Sequence, residues 1–384
     1  MEYRHVSMSL RDLGFLSMGI LGVALFSEAC TYQMPELSVE VPRAADWWDA
    51  EWTHRIRITF QNAGGESLTD FPVLVRLDEQ RLPMAQDSPV GADLRFVDDD
   101  GQTILSHEID RWVANGESFV WVRVPKIDAT NTDHIWLYYG NPNASDAQNA
   151  ADVWDDFIGV YHLSPSQSVP IQFVNSAGAN PGGWYNDVPG NIVTGPIGDA
   201  VSLDGSSFVH IGDNGEVAAN PDEARTAEAW VNASNLQPQA IVYEEGQCVG
   251  WYLGMNANGE YLGSFITEPI LPLCADGGSE FLIATPAFTG AWHYVTLVVD
   301  RPGLEMRLFV DGTLMESTPT NNTEIADGNG IFRIGSDHDG GEGTFAGAID
   351  EVRVSNNARS AGWIAAQYKS MSDRFLSFTV DESE

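Results

Sequence analysis

Hydrophobic and polar positions alternate with period two along most of this chain. Ile56, Ile58 and Phe60 fall on one side of residues 54–60, and Arg55, Arg57 and Thr59 on the other. That is the pattern of a half-buried strand. Val73, Val75 and Leu77 repeat it, and Leu94 and Phe96 follow. Residues 119–125 predict a further strand ended by Pro125, and residues 135–141 predict another. Asn62-Ala63-Gly64-Gly65 and Asp98-Asp99-Asp100-Gly101 supply turns between them. Short strands at this spacing predict a β-sandwich over residues 46–150.

A second group of strands occupies residues 153–384. It opens at residues 154–163, continues at 201–211 and 227–231, and has a long central member at 292–300 with Val295, Leu297 and Val299 on one face. Residues 306–310 reach Asp311-Gly312, a two-residue hairpin turn, and return through 313–315. After residues 330–335 comes residues 345–354, where Ile349, Val352 and Val354 are β-formers and Gly347 lets the chain cross closely over a neighbour. Asn356 and Asn357 break that strand. Ser360 takes a helix N-cap position, and Trp363, Ile364 and Tyr368 form a short helical face. Residues 375–380 are read as a final strand closing this second sandwich. The expected fold class is all-β, two antiparallel β-sandwich (jelly-roll) domains behind an N-terminal segment.

That segment changes the picture of where the protein works. Arg4, His5 and Arg11 precede the apolar run of residues 13–26, a length suited to a signal-peptide core and short for a membrane span. Ala29 and Cys30 resemble the bacterial lipoprotein cleavage site, in which the cysteine becomes the lipidated first residue, whereas Ser27 and Glu28 depart from it. Residues 1–29 are thus expected to be a signal peptide, Cys30 a lipidation site, and 30–45 a tether. Simple secretion and an uncleaved anchor are the alternatives. The expected location is the bacterial cell envelope, facing the periplasm or the exterior.

A formal net charge of −36 repels nucleic-acid phosphates and anionic membranes, so no nucleic-acid partner is expected and the membrane is reached only through the lipid. In an exported chain a disulfide between Cys248 and Cys274 is expected; two buried free thiols are the alternative.

Residues 345–364, with the run Gly347 to Arg353 and the turn-and-helix Ala358-Arg359-Ser360 to Trp363-Ile364, resemble the closing segment of laminin-G-like domains in the concanavalin A-like lectin/glucanase superfamily. The resemblance extends over residues 153–384. Trp47, Trp48 and Trp52, Leu94-Arg95-Phe96, residues 121–125 and Tyr138-Tyr139-Gly140-Asn141-Pro142 resemble the bacterial family called domain of unknown function 2341, which brings no established chemistry. The resemblance implies the fold and leaves the ligand open, because function lives in sites grafted on such folds.

Candidate chemistry is sparse. Trp47, Trp48 and Trp52 could form a sugar-stacking platform or plug the end of a sandwich. Asp337, His338 and Asp339 lie in a polar, glycine-rich loop that is either a binding loop or a solvated connection. Related domains often hold a structural calcium, and Asp350 with Asn175 are the positions that resemblance indicates, although asparagine there removes a charge. Paired acids for glycan cleavage are missing: Glu108-Ile109-Asp110 begins the glucanase motif but Val113 ends it, and Asp350 and Glu351 should point to opposite faces of a strand. His293 is expected to pack rather than catalyse, and nucleophile-elbow and zinc-protease motifs are absent. The expectation is a non-catalytic binding protein for carbohydrate or a matrix or surface protein. The alternatives are a structural or assembly component of the envelope and an atypical polysaccharide-degrading enzyme.

Overall fold

The computed structural model describes residues 3–6, 39–42, 47–82, 90–165, 172–178, 182–184, 191–211, 224–245, 250–267, 279–320, 331–337 and 343–383. Cys30, Cys248, Cys274, His338 and Asp339 lie outside them. The chain forms two compact units, Met1–Ala50 and Glu51–Glu384. In the first, Tyr3–Val6 pairs antiparallel with Val39–Pro42. No helix among the described residues is long and apolar enough to cross a membrane.

Both expected sandwiches lie in the second unit and are antiparallel throughout their named strand pairs. In the first sandwich one sheet runs Leu376–Phe378, His54–Phe60, His134–Tyr139, Arg95–Asp98, Ile104–Leu105. The facing sheet runs Leu68–Leu77, Ser118–Ile127, His107–Arg111. Ser118–Ile127 continues through Pro125, contrary to the sequence reading. Proline is tolerated because the neighbour on that side, His107–Arg111, pairs only as far as Val122, so the missing N–H falls on an open edge.

In the second sandwich one sheet runs Asn191–Thr194, Asp199–Asp204, Ala346–Ser355, Arg225–Ala233, His293–Asp300, Glu305–Val310, Thr313–Pro319, with Phe157–Tyr161 also pairing to Ala346–Ser355. The facing sheet runs Gln172–Phe173, Gly182–Trp184, Val209–His210, Ile331–Ile334, Gln239–Glu245, Gly250–Met255, Glu260–Thr267, Ser279–Pro286. Between them packs a core that includes Tyr161, Val201, Val231, Trp251, Leu297, Phe332, Ile349 and Val354.

The two sandwiches share their other core. Phe71, Val75 and Trp121 of the first pack in one cluster with Val160, Trp230, Tyr294 and Phe309, which come from the outer face of the second. The helix Ala361–Met371, capped by Ser360 accepting from the Trp363 N–H, adds Trp363, Ile364 and Met371 to that cluster. The last strand differs from expectation. Leu376–Phe378 pairs with His54–Phe60, Leu376 opposite Phe60, so it completes the first sandwich rather than the second. Buried Phe375 stands against Phe60 and Phe71 at ring distances of 6.1 and 5.8 Å.

Candidate functional site

At the seam between the sandwiches, charged side chains gather in the shared apolar cluster. Their placement begins with a bulge. In Ala346–Ser355 the register against Arg225–Ala233 shifts between Glu228 opposite Arg353 and Trp230 opposite Asp350. Glu351 takes φ 50° there. One extra residue breaks the alternation. Ile349, Val352 and Val354 still face the sandwich core. Asp350, Glu351 and Arg353 are left on the other face, towards the first sandwich. The expectation that Asp350 and Glu351 point oppositely is therefore corrected: strand periodicity assumes an unbulged ladder.

From the first sandwich, the strand His107–Arg111 brings Glu108 and Asp110 to the same place. His162, just past the strand Phe157–Tyr161, stands between the two contributions. Its Nδ1 lies 2.6 Å from Glu351 Oε1 and its Nε2 lies 3.3 Å from Glu108 Oε2. Glu108 also accepts from the Trp154 indole N–H at 2.5 Å and from the Ser176 hydroxyl at 2.6 Å. Arg353 is fully buried, its Nε 3.8 Å from both Glu228 Oε1 and Glu351 Oε2, with its guanidinium 4.9 Å from the Trp121 ring centre. Arg111 and Asp199 pair at 3.1 Å between the two sandwiches.

Burial is the largest single influence on the titration of these groups, but neighbouring charges reverse its effect at two of them. It pushes Asp110 up to about 7; the charge of His162 opposes this, and Glu351, Glu108 and Asp199 reinforce it. Burial and then the neighbouring Glu351 charge hold Asp350 well above the ordinary carboxylate range. For His162 burial acts downward, but Glu351, Asp110 and Glu108 outweigh it and favour the imidazolium. For Glu108 burial acts upward and is outweighed by His162 and by its three hydrogen bonds, so the carboxyl stays below its usual value. The sequence reading discarded Glu108 and Asp110 because Val113 ends the glucanase motif that they begin. No local signal in the sequence pairs them with His162 and Glu351.

Both calcium positions are buried and engaged with backbone N–H groups. Asp350 is in the seam, where its Oδ2 accepts the Ile197 N–H at 3.1 Å. Asn175 is buried, and its Oδ1 accepts from the Val160 and Ala177 backbone N–H groups at 2.9 and 3.1 Å. Those two bonds use both lone pairs of the amide oxygen. Asn175 is a turn-holding residue in this structure.

The three tryptophans are divided between the two units. Trp47 and Trp48 belong to the N-terminal unit and are half-buried; the Trp47 indole N–H donates to Asp49 O at 2.9 Å. Trp52 lies in the other unit, is buried, donates to Asp93 O at 2.6 Å and has the Arg95 guanidinium 5.1 Å from its ring centre. Its faces are occupied, which corrects its reading as a stacking surface. His293 packs as expected, half-buried, with Nδ1 2.8 Å from Asp311 Oδ2.

A different surface carries aromatic residues. In the second sheet of the second sandwich, Arg333 lies opposite Tyr243, Tyr243 opposite Tyr252, and Tyr252 opposite Ser264. Alternation puts all four on the face turned away from the core, where Arg333 and Ser264 are nevertheless buried. Tyr243 and Tyr252 are half-buried and meet edge to face at 6.2 Å. The Tyr252 hydroxyl donates to Gln239 O at 2.9 Å. Half-buried Asp337 lies close enough to Tyr252 to raise its phenol further above the usual value, an effect second to burial. Gly343, at φ 95°, lets the chain pass the Asp337 carboxylate, where an added Cβ would come within 2.3 Å of its Oδ1.

Residues 203–365 match the family model described as concanavalin A-like lectin/glucanases superfamily, of laminin-G type. Residues 90–163 match that of the domain of unknown function DUF2341. The protein combines these two modules. Similar solved structures include the binding domain of Paraclostridial Mosquitocidal Protein 1, at TM-score 0.44 and 15% identity, covering 56% of this chain and 52% of that one. The botulinum neurotoxin serotype D ligand-binding domain in complex with N-acetylneuraminic acid gives 0.41 and 16%, covering 57% and 52%. Domain 4 of an extracellular arabinanase from Geobacillus stearothermophilus, in complex with arabinotriose, gives 0.38 and 18%, covering 50% and 90%. The chain thus spans about half the length of the first two. No curated protein matches it.

Proposed function

We propose that this is a non-catalytic, exported binding protein that recognises carbohydrate on the outer face of the sheet containing Tyr243 and Tyr252. The observation that carries the reading is the row Arg333, Tyr243, Tyr252, Ser264, one residue from each of four adjacent strands. Tyrosine rings offer flat apolar faces to a sugar ring, while the nearby half-buried Asp337 supplies a polar group that fixes orientation. The match of residues 203–365 to a lectin superfamily supports the same reading. The buried acids of the seam support a binding rather than a cleaving role, since Glu351 and Asp350 are fully enclosed and a glycosidic bond must reach its carboxylates. Anchoring through lipid on Cys30 would hold this face at the envelope surface.

A glycan array probed with the full chain, in calcium and again in chelator, tests the reading. Binding to one glycan class, reduced at least about tenfold by Tyr243→Ala or Tyr252→Ala, is the expected result. Binding untouched by both substitutions, or a blank array in both conditions, overturns it. A blank array would direct the search to protein partners.

A further inference from the structure

We propose that Asp110, His162 and Glu351 bind one divalent transition-metal cation of the zinc type, which ties the two sandwiches together at their seam. One ligand atom from each of these residues lies within 4.8 Å of the others. They come from separate elements: the strand His107–Arg111 of the first sandwich, the residue following Phe157–Tyr161, and the bulge of Ala346–Ser355. A cation here would join chain segments that are otherwise far apart in sequence.

The second observation is a set of enclosed carboxylate oxygens. Asp110 Oδ2, Asp350 Oδ1 and Glu351 Oε2 are sealed from solvent and have no hydrogen-bond partner among the described residues. Asp350 and Glu351 are themselves 0% exposed. Buried acceptors are ordinarily satisfied, and leaving one unpaired costs about 1–3 kcal/mol, more for a charged group. The donor supply agrees. Glu108, Asp110, Asp350 and Glu351 bring four carboxyl groups to the seam, beside His162 and Arg353, which Glu228 also shares. An enclosed seam this rich in oxygen donors suits a bound cation, which would take up oxygens that otherwise lack a partner.

The donor set selects the class of ion. One imidazole nitrogen with two carboxylates suits zinc and similar borderline cations; calcium prefers six to eight oxygens. The surroundings have the form that orients a metal-binding histidine. Glu108, itself fixed by Trp154 and Ser176, faces His162 Nε2, and this leaves Nδ1 directed at Glu351. With a proton on Nε2, the Nδ1 lone pair would be free to join one oxygen each of Glu351 and Asp110 around an ion.

The test uses the full chain stripped with chelator, then titrated calorimetrically with zinc, calcium and magnesium in separate runs. One equivalent of zinc should bind saturably, with no matching uptake of calcium or magnesium. Cobalt should give visible absorption bands of a nitrogen–oxygen site. Asp110→Asn, which keeps the side-chain shape and removes a buried charge, should weaken zinc binding roughly tenfold to a hundredfold and abolish the cobalt bands. His162→Gln should do the same. Failure of the stripped wild-type chain to take up zinc, uptake of calcium alone, or zinc uptake undiminished in both variants each overturns the proposal. If a variant fails to fold, the cobalt spectrum of the wild-type chain decides. Glycan binding is read on a different sheet, so either result leaves that test intact.

Discussion

His107 shows how a single buried side chain couples this fold to pH. It is 2% exposed and packs 5.4 Å from the Phe96 ring. Burial, then the Arg95 charge, lowers its pKa to about 4. Unfolded, it would titrate near its ordinary value of about 6.5. Between those values the unfolded chain binds a proton that the folded chain refuses, so stability falls as pH drops through the window and is fully retained above it. The contribution lost between pH 7 and about pH 4.5 is on the order of 2 kcal/mol. His107→Gln should therefore flatten the acid limb by about that amount, measured as urea-unfolding stability of variant and parent at both values. A variant with the same acid slope as the parent would show that His107 carries no such linkage. Some residue-scale features were legible in the sequence. Gly347 was read as a close crossing, and it holds φ 145° where an added Cβ would come within 2.3 Å of Asn232 O. The Asp110–His162–Glu351 grouping was not legible, because it depends on which face of one sandwich meets the other.

At the scale of elements, local chemistry and tertiary chemistry part company. Ser360 caps its helix as read, and Asp311 and Gly312 take φ 50° and 72°, as a two-residue hairpin turn of the primed type requires. These features are encoded by a few adjacent residues. The bulge at Glu351 is different, since an extra residue is defined only against a partner strand. The closing strand is different again. Phe375, Leu376 and Phe378 announce an apolar strand, but nothing within that stretch says which sandwich it joins. The structure gives it to His54–Phe60, and this makes the first sandwich depend on residues more than three hundred positions away. Phe375→Ala should cost about 3–5 kcal/mol, since the phenylalanine is fully enclosed between Phe60 and Phe71. Chemical denaturation followed by tryptophan fluorescence measures it. A loss below about 1 kcal/mol would mean that the first sandwich closes without this strand.

At the scale of the unit Glu51–Glu384, the question is whether two modules behave as two domains. Sandwich domains joined in one chain commonly meet through modest polar interfaces and move relative to one another. Here the contact has the character of an interior. Trp121 of the first sandwich lies 5.2 Å from Trp154, and Trp154 lies 5.1 Å from Phe157 of the second. The helix Ala361–Met371 touches both sides: the Ser370 hydroxyl accepts the Leu74 N–H of the first sandwich at 2.9 Å. From the same helix, Met371 O accepts from Arg76 at 2.7 Å, and the Trp230 indole N–H of the second sandwich reaches Met371 Sδ at 3.3 Å. Separating the sandwiches would expose this apolar cluster and leave Arg353 and its carboxylates half-stripped, a cost that unfolding one module alone cannot avoid. The two modules are therefore expected to unfold in one cooperative transition. Scanning calorimetry should give a calorimetric enthalpy equal to the van't Hoff enthalpy across a single peak. Two resolved peaks, or a ratio well above one, would show that the shared cluster is too weak to couple them and that the sandwiches are independent domains.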